Sequence, residues 1–304
     1  MQEVYQMTKR NMLIYLRDKG AVFFSMLSMM IVLGLMVVFL GNMNAENVIN
    51  VIEEYGGRTA TTQDRENAAY LIQMWTLAGI LVVNAVTVTL TIMGNMVQDE
   101  TRKRIMAFYV TPVKRLYLTL SYILAAWIIG SLMCLLTLGV GELYFICKGY
   151  GILDMVSVLQ LTGMIFCNTF TFSAIGYLMA LFVHSDSAWA GLLTVIGTLV
   201  GFAGGIYLPM SQLADGVQKV LKCLPVLHGA SMMRAVSTAD IVEKTFAGMP
   251  EELIPIYQDK MGITVTISDT IVSIKGQIGI LLLYAVVAIV LSVVITQNRK
   301  LRDR

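Results

Sequence analysis

Charge is scarce in this chain. Only 14% of its 304 residues are Asp, Glu, Lys or Arg, against about 25% in a typical soluble domain. With 57% hydrophobic residues and a mean hydropathy of +0.72, a water-soluble fold is excluded and a membrane protein is implied. Histidine is scarcer still. His184 and His228 stand far apart in sequence, which argues against a histidine metal site. The four cysteines, Cys134, Cys147, Cys167 and Cys223, form no CxxC pair, and three of them lie in or beside apolar runs. They read as small buried hydrophobes rather than as a disulfide or metal set. No Gly-Lys dipeptide occurs anywhere, so there is no G-x-x-x-x-G-K-[ST] loop to cradle phosphates. A net charge of +2 is too small to point to nucleic acid.

What the chain does have is long apolar runs. A spanning helix needs about 20 mostly apolar residues. Six stretches qualify: 21–40, 69–97, 116–147, 155–183, 187–207 and 272–296. The expected fold is an all-α membrane protein with six transmembrane helices, in one domain over 21–304 preceded by a separate segment, 1–20. The first run is too long for the apolar core of a signal peptide, and no small-residue cleavage site follows it.

Lys and Arg in short loops orient such a bundle. The N-terminal segment holds Lys9, Arg10, Arg17 and Lys19; the second-to-third loop holds Arg102, Lys103, Arg104, Lys114 and Arg115; the tail "NRKLRDR" holds four more. With six spans these segments share one side, together with the uncharged-by-base turn "HSDS". The opposite side sets Arg58 and Arg65 against five acids in 41–68, then only Lys148 in a short loop. Both termini and the 98–115 loop are therefore expected in the cytoplasm, and a bacterial plasma membrane is the expected location.

Residues 2–18 read as a helix with Val4, Tyr5, Met7, Met12, Leu13 and Leu16 on an apolar side and Lys9, Arg10 and Arg17 on a basic one. That pattern fits a helix lying at the headgroups; a disordered basic start is the alternative. After the fifth run, Gly204, Gly205 and Pro209 break the helix. Ser211 reads as the N-cap of a short outer helix, whose apolar face is Leu213, Val217, Val220, Leu221 and Leu224 and which ends at Pro225. It is too short to span, and either dips into the outer leaflet or packs on the bundle. The whole outer segment is 208–271. Within it, "ITVTIS" fits a strand or an extended linker equally well.

The stretch "QDETRKRIMAFYVTPVKR", residues 98–115, is far more charged and patterned than a hairpin between spans requires. Ile105, Met106, Tyr109 and Val113 lie on one helical face, Asp99 and Glu100 precede it, and Pro112 limits it. Carboxylates at a helix start complement its dipole. A short amphipathic cytoplasmic helix is one reading; a basic loop held at anionic headgroups is the other, which accounts for the Lys and Arg but not for the acids and aromatics.

This cluster, followed by "FYVTPVKR", together with "GGIYLPMSQLADGVQKVLKCLPVLHGASMMR" after the fifth run, resembles the ATP-binding-cassette type-2 membrane permeases. The six spans and the interfacial N-terminal helix match as well. Two positions depart from the family layout: Lys103 and Arg104 stand where a Gly is frequent, and Ala214-Asp215 where a Pro is common. The resemblance implies a permease subunit, an exporter moving cargo with ATP hydrolysed by separate nucleotide-binding subunits. ATP and Mg would sit on those partners, and this chain would bind no cofactor. It implies a coupling helix at 98–115 resting in an ATPase groove, with Phe108 and Tyr109 as apolar anchors, Pro112 at its end, and Asp99, Glu100, Arg102 and Arg104 as charges at the rim. A second permease subunit, identical or related, would complete the route, and membrane lipid would surround it.

Asn84, Thr87, Thr91 and Asn95 fall at i, i+3, i+7 and i+11, one face of the second span. Polar groups in a bilayer seek protein or water, so this face either lines a translocation path or holds helices together within one subunit. Glu142 falls at the outer interface, as a wetted acid or as an ion or substrate contact. Two rivals to the transporter reading are a secondary transporter or channel, which usually carries midplane ionisable groups, and a permease-like sensory or resistance subunit. An embedded enzyme would need a nucleophile, base or metal cluster, and the two histidines and scattered acids supply none. Cargo stays open.

Overall fold

A computed structural model describes residues 2–35, 41–56, 59–105, 114–205, 209–267 and 270–298. These residues form twelve α-helices, one 3-10 turn and one two-residue β-ladder. In chain order the helices are α1 (Gln2–Arg17), α2 (Lys19–Leu35), α3 (Gly41–Gly56), α4 (Thr62–Thr101), α5 (Arg115–Cys147), α6 (Met155–Ala180), α7 (Asp186–Ala203), α8 (Asp215–Cys223), α9 (Pro225–Ser237), α10 (Ala239–Thr245), α11 (Leu253–Lys260) and α12 (Ile274–Asn298).

Five of these, α4, α5, α6, α7 and α12, are long and apolar enough to cross a membrane. They coincide with the second to sixth apolar runs. The first run corresponds to α2, an apolar helix of 17 residues, and its remainder, 36–40, lies outside the described residues. The largest shift in a boundary is at α4, which starts seven residues before the apolar run. A reciprocal cap starts it: Asp64 N donates to Thr61 Oγ1 at 3.2 Å and Thr61 N donates to an Asp64 carboxylate oxygen at 2.9 Å. Such a box satisfies two donors that a helix start leaves orphaned. With 40 residues, α4 is about 60 Å long, about twice a hydrocarbon core.

α4 is the hub of the bundle, packing on α5, α6, α7, α9 and α3. Lipid offers no hydrophobic drive for helices to associate, so close approach through small residues has to do it. A Cβ at Gly130 of α5 would lie 2.7 Å from Thr89 Cγ2 of α4, and one at Gly141 would lie 2.7 Å from Leu77. α6 meets α12 through Ala174, Ala285 and Ala288, all buried. Polar pairs add to the packing: Ser131 and Thr169 are 2.7 Å apart between α5 and α6, and Thr171 Oγ1 donates to Leu281 O at 3.2 Å between α6 and α12.

Beyond the start of the spanning part of α4 there is a second, separate core. α3, the first turns of α4, α10 and α11 bury Ile52, Leu71, Trp75, Val242, Phe246 and Tyr257 together. Counting the charges in 41–68 gives no sign of α3, although Ala45, Val48, Ile49 and Ile52 keep helical spacing and are all buried. Ser211 is not an N-cap. The 3-10 turn Met210–Gln212 follows Pro209, Leu213 is extended, and α8 begins at Asp215 with Ala214 as N-cap. As expected, the short helix stops just before Pro225, at Cys223 with Leu224 extended; Pro225 itself opens α9, where its missing N–H is harmless. Of the α8 apolar face only Leu221 is buried, whereas Val217, Val220 and Leu224 are exposed. "ITVTIS" contributes β1 (Thr266–Ile267), paired antiparallel with β2 (Thr270–Ile271).

Candidate functional site

At the end of the bundle where α4 stops, Asp99 is 1% exposed. An acid in the last turn of a helix opposes the dipole, so its partners must hold it. Arg10 of α1 donates two hydrogen bonds to it, Nη1 to Oδ2 at 2.7 Å and Nη2 to Oδ1 at 2.9 Å. The Tyr122 hydroxyl of α5 donates to Oδ2 at 2.6 Å, and Arg104 stands 3.8 Å away. Forked guanidinium–carboxylate contacts are among the strongest a protein makes. The Arg10 pKa is raised, first by its hydrogen bond to Asp99, with burial working the other way. Asp99 is therefore turned into the protein rather than towards a rim, and it clamps α1, α4 and α5 together. No regular spacing could have revealed this, since Arg10 and Asp99 are 89 residues apart.

Adjacent contacts extend the clamp. Glu100 approaches His184 of the α6–α7 turn at 3.9 Å. Arg115, at the start of α5, donates to Thr296 O at 2.8 Å and Gln297 O at 2.9 Å. A cation there satisfies carbonyls that the end of α12 leaves open. α4 is C-capped by Arg102, and Lys103 takes a φ of 57°, the left-handed conformation in which Gly is normally favoured. Phe108, Tyr109 and Pro112 lie outside the described residues, as do Met106 and Val113. Arg104 is half exposed and Glu100 is mostly covered.

α1 turns Met7, Thr8, Asn11 and Tyr15 to the protein. That stripe differs from the apolar side expected from sequence, because Tyr5 and Leu16 are exposed.

The polar face of α4 divides in two. The Asn84 amide donates to Thr137 Oγ1 of α5 at 3.0 Å, and Asn95 Nδ2 reaches Asn11 O of α1 at 3.5 Å. Thr87 and Thr91 instead donate to their own helix, at Val83 O and Thr87 O, 2.9 and 2.8 Å away. Both remain half-buried. On the neighbouring face of α4, Val86 and Leu90 border a cavity of about 530 Å³. Its other walls include Phe172 and Met179 of α6, Leu199 of α7 and Val287 of α12, and it has almost no polar surface. Leu224, Pro225 and Val226 line it as well.

The Gly204–Gly205 break is held by a residue that the sequence reading overlooked. Arg234 of α9 is fully buried. Its guanidinium lies 4.0 Å from the centre of the Trp75 ring, and Nη2 donates to Gly204 O at 2.6 Å and Gly205 O at 3.1 Å. It thus caps the end of α7 and stacks on α4. Burial pushes its pKa down to about 9, so it is still a cation at neutral pH. The available signal was an arginine inside "LHGASMMRAVS", a stretch with no other Lys, Arg, Asp or Glu.

These helices, the apolar chamber among them and the charged clamp at one end define a polytopic all-α membrane protein. Residues 58–294 match the family described as ABC-2 family transporter protein, and the chain belongs to that family. Its members are membrane subunits of transporters and not enzymes. No curated protein matches this chain.

Proposed function

We propose that this chain is the six-span permease subunit of an ATP-binding-cassette exporter, driven by ATP and Mg on separate nucleotide-binding subunits. Family membership over residues 58–294 carries the reading. α2 would supply the remaining span, and the termini and the 98–115 segment would face the cytoplasm of a bacterial cell. The ATPase would grip 98–115, with Phe108 and Tyr109 as anchors, Arg102 and Arg104 as outward charges, and Glu100, mostly covered beside His184, at their edge. The Arg10–Asp99–Tyr122 clamp supports this, because it would stop that segment moving without α1, α4 and α5. Rigid transmission of this kind turns a docking movement into a rearrangement of helices.

The cargo would be apolar or amphipathic, in keeping with the carbon lining of the 530 Å³ cavity. Thr87 and Thr91 would offer the route its few hydroxyls. A second permease subunit would cover part of the exposed apolar surface of α7 and α12, which includes Val195, Leu199, Leu283 and Val290. The test is co-expression with a Walker-motif ATPase encoded beside this chain. The two should co-purify, and Glu100→Ala with Phe108→Ala should weaken both association and ATP-dependent transport. Full association and transport in that double variant would refute the docking site. Cargo movement in proteoliposomes containing this chain alone would refute the ATP-driven reading.

A further inference from the structure

The far end of α4, remote from Asp99, borders a second cavity of about 300 Å³ that shares no residue with the apolar chamber. Three elements build it. Glu66, Asn67 and Tyr70 come from one face of α4, Tyr150 from the α5–α6 loop, and Asp240 and Lys244 from α10. The aromatic wall is preformed. Tyr70 and Tyr150 stack with ring centres 4.7 Å apart and planes 19° apart. The Tyr70 hydroxyl donates to Gly151 O at 3.1 Å, tying the loop to the helix. Gly149, at a φ of 80°, makes the turn that brings Tyr150 N back to Phe145 O at 3.0 Å.

The charges around this wall are uncommitted. Among the described residues, neither the Glu66 nor the Asp240 side chain makes a hydrogen bond or ion pair, and Lys244 has no carboxylate partner. Two carboxylates against one ammonium leave the cavity negative. Burial, and after it the charge of Glu66, raises the Tyr150 phenol pKa, so that field reaches the ring. A cavity of this size suits a small ligand, and the face of an aromatic ring attracts a cation.

We propose that this cavity binds a small organic cation, an ammonium compound resting on the Tyr150 ring and balanced by Glu66 and Asp240. The site is distinct from the proposed export route and needs no ATPase, so it stands or falls independently of that reading.

The test is calorimetric titration of the full chain in lipid nanodiscs with choline, with its uncharged carbon isostere dimethylbutanol, and with glucose. Choline should bind at one site, less tightly as salt rises, and at least about tenfold more tightly than the isostere. Asp240→Asn and Glu66→Gln should each weaken it about two- to fivefold, and Tyr150→Leu about three- to tenfold. Lys244→Gln, an exposed change that leaves folding intact, should tighten it about two- to fivefold. Equal binding of choline and the isostere would overturn the proposal. So would glucose as the preferred ligand, no choline binding at all, or a Lys244→Gln variant that binds more weakly.

Discussion

Replacing Asp99 with Asn keeps the shape of the side chain and removes its charge. In the wild type the carboxylate accepts two hydrogen bonds from Arg10 and one from Tyr122 while 1% exposed. An amide can accept on one atom only, and its NH2 would face the Arg10 guanidinium, donor against donor. Breaking a buried ion pair from one side costs about 3–5 kcal/mol. The Arg10 side chain is 32% exposed, so it can turn partly to water or headgroups, and a discounted cost of about 2–3 kcal/mol is appropriate. That should lower the melting temperature of the nanodisc-embedded protein by about 5 °C or more. Arg10→Gln should cost a similar amount, and the double variant little more than either, because the two changes remove one interaction. Tyr122→Phe, which deletes only the third hydrogen bond, should cost about 1–2 kcal/mol. If Asp99→Asn melts with the wild type, or the two charge changes simply add, the clamp does not hold these helices.

Three further outcomes follow from other contacts. Gly130→Ala should destabilise the α4–α5 contact by about 1–3 kcal/mol, since the new methyl meets Thr89 Cγ2, a buried β-branched side chain already bonded to Ala85 O; Thr89→Ser should restore most of the loss, read as melting temperature. Arg234→Lys should behave nearly as badly as Arg234→Met, losing about 2–4 kcal/mol, because an ammonium cannot both stack on Trp75 and reach two carbonyls; matching stability of Lys and wild type would refute the capping role. His228 is 1% exposed with Nε2 2.9 Å from Lys222 O, and burial lowers its pKa from the ordinary 6.5. As pH falls through 6.5 the unfolded chain takes up a proton that the folded one refuses, so stability should fall as the pH drops below that value, and His228→Gln should flatten that dependence.

Hydropathy was enough to find α4, α5, α6, α7 and α12, because the bilayer requires long apolar runs whatever their neighbours. The ends of these helices were less legible, since caps such as Thr61–Asp64 use residues that are common in loops. The α3–α10–α11 core was obscured for another reason. Its helices are short and carry acids on their wet faces, so charge counting registered the Glu residues and missed the Val48, Ile49 and Ile52 stripe. Asp99 and Arg102 look alike on paper, both charged and both next to a span end. Only the fold separates them, by setting Arg10 and Tyr122 around one and not around the other. Arg234 is the converse case, a charge in an outer segment that orientation rules count as wet and the fold buries completely.

α4 is also a lever. One uninterrupted helix carries Asp99 near one end and Glu66 near the other, about 50 Å apart. A tilt of about 5° at the clamped end would sweep the Glu66 end sideways by about 4 Å, more than the 3.1 Å hydrogen bond that fastens Tyr70 to the α5–α6 loop. A pull on one end of this helix would therefore reach the other mechanically, with no relay of side chains in between.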